Sequence, residues 1–355
     1  MAYTTIDDPG LYFNTLTWTG NDADSRDITG VGFQPDWVWG KRRDDAAGHN
    51  LLDVVRGAGQ DSELSTNSTG VEGSNGQDRF GFLSAFLSDG FRVEDGSEGS
   101  GDKAYWNQNS ATYVAWNWKA GGSASSNSDG SITSSVSANQ TAGFSIVSYT
   151  GTGSALTCGH GLGAVPEWII VKDRDAAANW NTYHIANGNG NTSQLNLGNA
   201  PSSTSSWNST TPTSSVFSLG AVSAVNTSSN DYIAYCFAEK QGYSKIGQYT
   251  GNNSSDGTFL YLGFKPAFII LKDITSTDPW IILDNKRSSF NVVNHRLFPQ
   301  NSNADNTSDN VCDFVANGIK FRSSNDGQNG SRNYLYYAVA ESPFVNSNKV
   351  PNNAR

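Results

Sequence analysis

One short pattern occurs three times along this chain of 355 residues and limits the folds that the chain can adopt. In each occurrence a Gly-x-x-Pro site is followed two residues after the proline by an aromatic residue and six residues after it by a lysine. An aromatic residue followed by Thr-Gly lies 17 residues before each proline. The residues of this signature are Pro35, Trp37 and Lys41, then Pro166, Trp168 and Lys172, then Pro266, Phe268 and Lys272. Equal spacing in all three places indicates one structural module used three times.

Each copy also ends in a run rich in aromatic residues. The runs begin at Tyr113, Tyr232 and Tyr334, which lie 78, 66 and 68 residues after the corresponding proline. The longer first distance indicates an additional loop in copy one. Residues 120–140 form a Gly/Ser-rich passage between copies one and two, and they predict a linker. Whether the second half of that linker pairs as an edge strand of copy two is left open.

The residues between each proline and lysine predict a β-strand. They are too few for a helix and are mostly β-branched or aromatic, which is typical of a strand buried on both faces. Proline is compatible with the start of such a strand, because the first residue need not donate to the ladder. Further short strands, separated by Gly, Asn and Ser turns, predict an all-β chain of three tandem β-sandwich modules of jelly-roll or lectin-like type, with almost no helix.

These patterns divide the chain into five predicted regions. They are an N-terminal arm (1–10), a first β-sandwich (11–121), a linker plus second β-sandwich (122–241), a third β-sandwich (242–346) and a C-terminal tail (347–355). Two alternatives stay open for the arm. It either docks on a particle or a neighbouring subunit, or forms an edge strand that completes the first sandwich.

Composition and charge argue against several classes of protein. Charged residues make up only 16% of the chain and aromatic residues 12%, which argues against disorder. The net charge of −10 predicts no nucleic-acid partner, since phosphate binding needs a basic stripe. No stretch approaches the roughly 20 apolar residues that span a bilayer, so no membrane insertion is expected. The first residues lack the basic and apolar regions of a secretory signal.

Few residues suggest chemistry, and we predict no catalytic residue. The repeated lysines are expected to snorkel or to blunt a sheet edge. Asp173, Asp175, Asp273 and Asp278 follow two of them and are expected to hydrogen-bond within turns. No cofactor is expected, although a Ca²⁺ ion held by such a loop is left open. Two Asp-x-x-Arg sites, Asp53/Arg56 and Asp284/Arg287, predict local ion pairs. Cys158 and His160 are interpreted as ordinary strand residues and not as metal ligands.

Two groups of residues are candidates for contact with a ligand or partner. Tryptophans in predicted loops, if exposed, would stack on sugar rings, the alternative being core packing. They are Trp106, Trp180, Trp207 and Trp280. Arg42 and Arg43 lie in the charged loop from Lys41 to Asp45 and are candidates for a partner contact.

Several long segments resemble a family of repeat proteins from the virions of marine tailed bacteriophages. They include GFQPDWVW, GHGLGAVPEWIIVKDR, DYIAYCFAEKQGYSKIGQYTGN and GFKPAFIILK, and the resemblance runs from residue 1 to about residue 345. It implies a non-enzymatic structural component of the virion surface, either a capsid decoration protein or a tail appendage. It also implies assembly in the host cytoplasm, location in the virion, contacts with other virion proteins and a side-to-side homotrimer. The family offers no catalytic residues to transfer, and the charged loop after Lys41 departs from its usual pattern.

Two alternative functions are kept. The first is a tail fibre or adhesin that binds a host-surface glycan through loop aromatics and carboxylates. The second is a polysaccharide-degrading enzyme, which needs a pair of carboxylates about 5–10 Å apart. The sequence offers no compelling pair of this kind.

Overall fold

The computed structural model describes residues 3–353, and they form mainly antiparallel β-strands. Two short α-helices, α1 (Gln77–Phe80) and α2 (Ser223–Asn226), and two 3-10 turns (Pro9–Leu11 and Gly99–Gly101) are the helical elements of that part of the chain. Within it, no helix has the length and apolar character needed to cross a membrane. The prediction of an all-β chain of the β-sandwich class with almost no helix is confirmed.

The first segment, residues 11–121, forms two sheets. Its strands are β1 (Phe13–Thr19), β2 (Ser25–Thr29), β3 (Trp37–Arg42), β4 (His49–Asp53), β5 (Phe82–Leu87), β6 (Gly90–Glu94) and β7 (Thr112–Trp118). A four-stranded sheet has the order β1-β7-β3-β4, and a three-stranded sheet has the order β2-β6-β5.

The second segment, residues 122–241, extends the same arrangement. Its strands are β8 (Ser125–Asn127), β9 (Ser134–Asn139), β10 (Phe144–Thr150), β11 (Leu156–Gly159), β12 (Trp168–Asp173), β13 (Asn181–His184), β14 (Asn191–Gln194), β15 (Ser202–Ser203), β16 (Val216–Leu219) and β17 (Asp231–Phe237). The run β10-β17-β12-β13 lies inside an eight-stranded sheet, and β11 pairs with β16. Strands β8 and β9 extend the sheet beyond β10, so part of the predicted linker is folded.

The third segment, residues 242–346, again has two sheets. Its strands are β18 (Ser244–Thr250), β19 (Phe259–Tyr261), β20 (Phe264–Asp273), β21 (Ile281–Asp284), β22 (Cys312–Val315), β23 (Gly318–Phe321) and β24 (Asn333–Pro343). The four-stranded sheet has the order β18-β24-β20-β21, and the three-stranded sheet has the order β19-β23-β22.

The four strands shared by the segments also share their register. The signature aromatics pair in the same way with the last strand of each segment: Trp37 with Trp118, Trp168 with Phe237, and Phe268 with Val339. We call residues with the same pairing or the same spacing from the repeated lysine matching positions. Superposition of the three segments on one another stays a prediction.

Strands β3, β12 and β20 are buried on both faces. In β3, Trp37 and Trp39 belong to a core shared by all three segments, whereas Val38 belongs to a core inside the first segment. The other two strands alternate in the same way between the shared core and a core of their own segment. The absence of a polar face in the post-proline runs is therefore explained by two cores on opposite sides of each strand.

The Thr-Gly turns require glycine because another loop crosses them closely. A Cβ on Gly20, Gly151 or Gly251 would lie 1.9, 2.2 or 2.1 Å from a backbone carbonyl oxygen. Each crossing loop carries one buried asparagine: Asn107, Asn226 or Asn329. Each asparagine accepts a hydrogen bond from the turn through its Oδ1.

The N-terminal residues pack against the third segment. Tyr3 Oη donates to the Gly263 carbonyl at 2.8 Å, and Ile6 is 3% exposed within the shared core. Residues 3–9 form no strand pairing, so the edge-strand alternative is wrong. Ile6 packs in the shared core, and docking of this segment on a particle or a neighbouring subunit stays a prediction. Met1 and Ala2 of the predicted arm, like Ala354 and Arg355 of the predicted tail, lie outside the described residues.

Candidate functional site

The three repeated lysines are fully buried at the ends of β3, β12 and β20. Lys172 Nζ donates to the Asp173 carbonyl at 2.6 Å, and Lys41 and Lys272 likewise donate to the carbonyl of the following residue. Burial lowers the pKa of each ammonium group to about 8. The prediction that these lysines snorkel or blunt an edge is wrong, because β3, β12 and β20 are interior strands of their sheets and the three lysines have no exposed surface.

Three aromatic side chains donate hydrogen bonds across the seams, which are the contact surfaces between neighbouring segments. Together these bonds join the three segments in a closed cycle. The three side chains lie eight residues after each lysine and are fully buried: His49, Trp180 and Trp280. Trp180 Nε1 donates to the Ser65 carbonyl of the first segment at 2.9 Å. Trp280 Nε1 donates at 3.0 Å to the Gln194 carbonyl of the second segment, and His49 Nε2 lies 3.1 Å from the Phe298 carbonyl of the third.

The state of His49 follows from its partners. Trp39 Nε1 donates to His49 Nδ1 at 2.8 Å, so the ring proton lies on Nε2 and points at the Phe298 carbonyl. Burial lowers the pKa of His49 well below its usual value, which keeps the ring neutral. His49 therefore donates across its seam as the two tryptophans do.

A second set of contacts repeats the same cycle through the backbone. The N–H group six residues after each lysine donates to a carbonyl of the neighbouring segment: Ala47 to Ser302 at 2.9 Å, Ala178 to Thr69 at 3.0 Å and Asp278 to Gly198 at 3.0 Å. The first segment thus binds the third, the second binds the first, and the third binds the second. Each seam is held by groups at matching positions.

The two Asp-x-x-Arg pairs are confirmed as local ion pairs, and both reach across a seam. Asp53 and Arg56 are 2.6 Å apart with fully buried side chains, and Arg56 also binds Glu72 at 2.9 Å. Glu72 in turn binds Arg174 of the second segment at 2.6 Å. The matching chain runs from Asp284 through Arg287 and Asp305 to Arg43 of the first segment. At the seam between the second and third segments, His184 stands at the position that matches Asp53 and Asp284. Its ring is neutral, and Nε2 lies 3.2 Å from the Tyr336 carbonyl.

Of the two alternatives for the loop tryptophans, stacking on sugars and core packing, the structure shows core packing. Trp106, Trp180, Trp207 and Trp280 are all 0–2% exposed. Trp106 stacks on Trp18 with the ring centroids 6.4 Å apart, and Trp207 Nε1 donates to the Asn191 carbonyl at 3.1 Å. These rings fill cores and seams, so they offer no face to a sugar in this structure.

Arg42 and Arg43 are both engaged within the chain. Arg42 pairs with Asp44 at 3.2 Å and donates to Gln108 Oε1 at 2.5 Å. Arg43 pairs with Asp305 of the third segment at 2.9 Å. Their side chains are 13% and 18% exposed, so the role of this loop in a partner contact stays a prediction.

Two of the four acidic residues after the lysines, Asp173 and Asp273, hydrogen-bond within turns as predicted. Of the other two, Asp278 pairs with Arg332 at 2.5 Å, and Asp175 accepts the N–H group of Asp231 at 2.6 Å. Asp173 Oδ1 accepts the N–H groups of Asp175 and Ala176, both at 2.9 Å, and Asp273 Oδ1 accepts that of Thr275 at 2.6 Å. Cys158 is buried and free. Over residues 3–353, no three or more His, Cys, Asp or Glu side chains are arranged to hold a metal ion.

Residues 8–343 match a protein family described as a domain of unknown function, DUF7483. The chain belongs to this family. The match includes parts of all three segments, as the shared core does, so the DUF7483 domain corresponds to the assembled unit and not to a single module. No curated protein matches the chain.

Sequence reasoning missed a cavity of about 420 Å³ where the first segment of the DUF7483 domain meets the third. Its lining comes from four separated stretches of chain and includes Thr15, Lys286 and Glu341. No motif connects these residues. The signal that was available is a break in the repeat, because Thr15 stands where the other two segments have Ile146 and Ile246.

Proposed function

We propose that this protein is a non-enzymatic structural component of a tailed-phage virion surface, either a capsid decoration protein or a tail appendage. The long segments that resemble phage virion proteins support this role. The use of the repeated polar residues supports it as well, since they stabilise the seams of one rigid unit whose three cysteines are all free.

The closed cycle of seam contacts is the observation that carries the proposal. A catalytic side chain must touch its substrate, whereas Lys172, Trp180 and their matching residues have no exposed surface. A protein on a particle must keep its shape under dilution, and a cycle inside one chain does not dissociate on dilution. The residues that recur in all three segments therefore suit a structural role better than a chemical one.

The proposal includes the partners and the location. The chain is expected to bind other virion proteins, to form a side-to-side homotrimer and to reach the virion after assembly in the host cytoplasm. Light scattering at high protein concentration tests the homotrimer. A monomer in solution, together with isolated monomers on the particle, would remove that part of the proposal.

Immunogold labelling of purified particles tests the main claim. Particles of the phage that encodes the chain are purified on a density gradient, labelled with an antibody against the chain and imaged by negative stain. Gold on the head supports a decoration protein, and gold on the tail supports an appendage. If the chain is abundant in the lysate and absent from purified particles, the proposal is wrong.

A further inference from the structure

The outer edge of β18 in the third segment is unpaired, although the matching edge of the second segment is paired. In the second segment, β9 lies along the outer edge of β10 and extends the sheet. In the third segment, β18 is the end strand of its four-stranded sheet, and within residues 3–353 no further strand pairs with it. The third segment therefore lacks the strand that the second segment has at this place.

A groove of about 350 Å³ lies at this unpaired edge. We call it the strand groove, and its two sides include Ser244 and Lys245 of β18 and, opposite them, Tyr261 and Leu262. In the second segment, Gly161 stands at the position that matches Tyr261. A Cβ on Gly161 would lie 3.1 Å from the Val136 side chain and 3.2 Å from the Ala138 Cβ, and both residues belong to β9. In the second segment, β9 thus fills the place of the strand groove.

The first segment closes the matching place with a side chain. Asn14 stands at the position that matches Lys245, 27 residues before the repeated lysine. Its Nδ2 donates to the carbonyls of Gly10 and Val31, both at 2.7 Å. Two segments therefore fill this place with their own chain, whereas the third leaves a groove.

One amide on the β18 edge is bound by a side chain where the second segment uses a strand. Ile146 of β10 pairs with Ser137 of β9, and Ile246 is the matching residue of β18. The Ile246 N–H donates to the Glu239 carboxylate at 3.2 Å. Glu239 is exposed, so its side chain is free to move aside when the carbonyl of an added strand takes its place.

The side chains of the strand groove favour a segment that carries an acidic residue. Lys245 Nζ lies 5.3 Å from the centroid of the Tyr261 ring and donates to the Tyr261 carbonyl at 3.3 Å. Both of these groups are neutral, so a carboxylate beside Lys245 adds the charge that they do not supply. In the second segment the matching Ser145 lies directly opposite Ala138 of β9. That position of an added strand therefore faces Lys245.

We propose that the strand groove binds an extended segment of a partner protein, which adds to β18 as β9 adds to β10 and places an acidic residue opposite Lys245. In this mode of recognition, main-chain hydrogen bonds supply affinity and alternate side chains supply specificity. Tyr261, which is 48% exposed, offers apolar surface to the added segment. The proposal goes beyond the structural role in the virion and does not depend on it.

Two peptides copied from β9 test the charge preference of the strand groove. Both have the sequence of residues 132–140, one with Ala138→Glu and the other with Ala138→Lys. Isothermal titration calorimetry measures their binding to the full chain. We expect the Glu peptide to bind about tenfold more tightly than the Lys peptide, because like charges would face each other in the second case. Lys245→Glu should reverse this preference, and Lys286→Glu, which changes an exposed lysine outside the groove lining, should leave it unchanged.

Methylation of the peptide backbone distinguishes strand addition from simple charge attraction. The residue at position 137 pairs with Ile146 in the second segment, and its N–H would bond to the β18 edge in the complex. Methylation of that nitrogen in the Glu peptide should abolish binding. Methylation at position 138 is the matched control and should preserve most of the affinity, because its N–H points away from β18.

Four results would overturn the proposal. Neither peptide binds, both bind equally, methylation at position 137 has no effect, or the groove takes a second copy of the chain. The last case would appear in sedimentation equilibrium as self-association that Lys245→Glu abolishes. If Lys245→Glu fails to fold, the comparisons between peptides on the natural chain decide the matter. The immunogold experiment is unaffected by any of these outcomes.

Discussion

Replacing Phe268 by alanine should destabilise the whole chain and not the third segment alone. The Phe268 ring is 1% exposed, and its centroid lies 5.4 Å from that of Phe13 and 5.5 Å from that of Trp118. Both neighbours belong to the first segment, so the cavity left by the mutation opens between segments. A buried Phe→Ala change costs about 3–5 kcal/mol through lost transfer energy and the residual cavity. We expect a loss of that size in the free energy of unfolding.

Urea unfolding followed by tryptophan fluorescence measures this effect. Six of the ten tryptophans lie in the first segment, so the signal reports mainly on residues outside the segment that carries the mutation. The midpoint should fall with the slope unchanged, because the same surface is exposed on unfolding. Phe290→Ala is the control, since Phe290 is 82% exposed and its loss should change stability by no more than about 0.5 kcal/mol. If circular dichroism shows an early transition that fluorescence does not follow, the segments unfold separately and the reasoning is refuted.

Three further predictions test the turns, the N-terminus and the buried lysines. Gly151→Ala should destabilise the chain by on the order of 2–3 kcal/mol in thermal melts, because its Cβ would lie 2.2 Å from a carbonyl oxygen. Gly190→Ala meets nothing within 4 Å and should be near neutral; equal effects would contradict the clash. A chain without its first nine residues should melt at a lower temperature because Ile6 leaves the shared core, and an unchanged melting temperature would contradict that packing. The pKa of Lys172 is about 8 in the folded chain and about 10.5 when exposed, so between these values the unfolded state binds more protons and stability rises with pH. Lys172→Met should show a smaller rise in the urea midpoint between pH 8 and pH 10, and an identical rise would assign the effect to other groups.

The strand content and the repeat follow from local sequence. The run from Trp168 to Val171 has no polar alternation and is too short for a helix, which requires a strand with both faces covered. Equal spacing between each Thr-Gly turn and its proline then implies the same connection three times. The observed strand orders agree with that expectation. The requirement for glycine in the Thr-Gly turns came from the tertiary structure, because residues such as Asn226 that cross the turn lie about 75 positions away in the chain.

The seams and the cavity were decided by the tertiary structure alone. Trp180 looks like a loop residue in sequence, and its partner is the backbone carbonyl of Ser65, a group that every residue carries and that leaves no signature. Lys172 resembles a lysine at a strand end, and only the packing of three sheets around one core takes its ammonium group out of water. The break at Thr15 was present in the sequence from the start. Only the fold shows that Thr15 lines the cavity between the first and third segments, because sequence periodicity reports which face is buried but not which segment covers it.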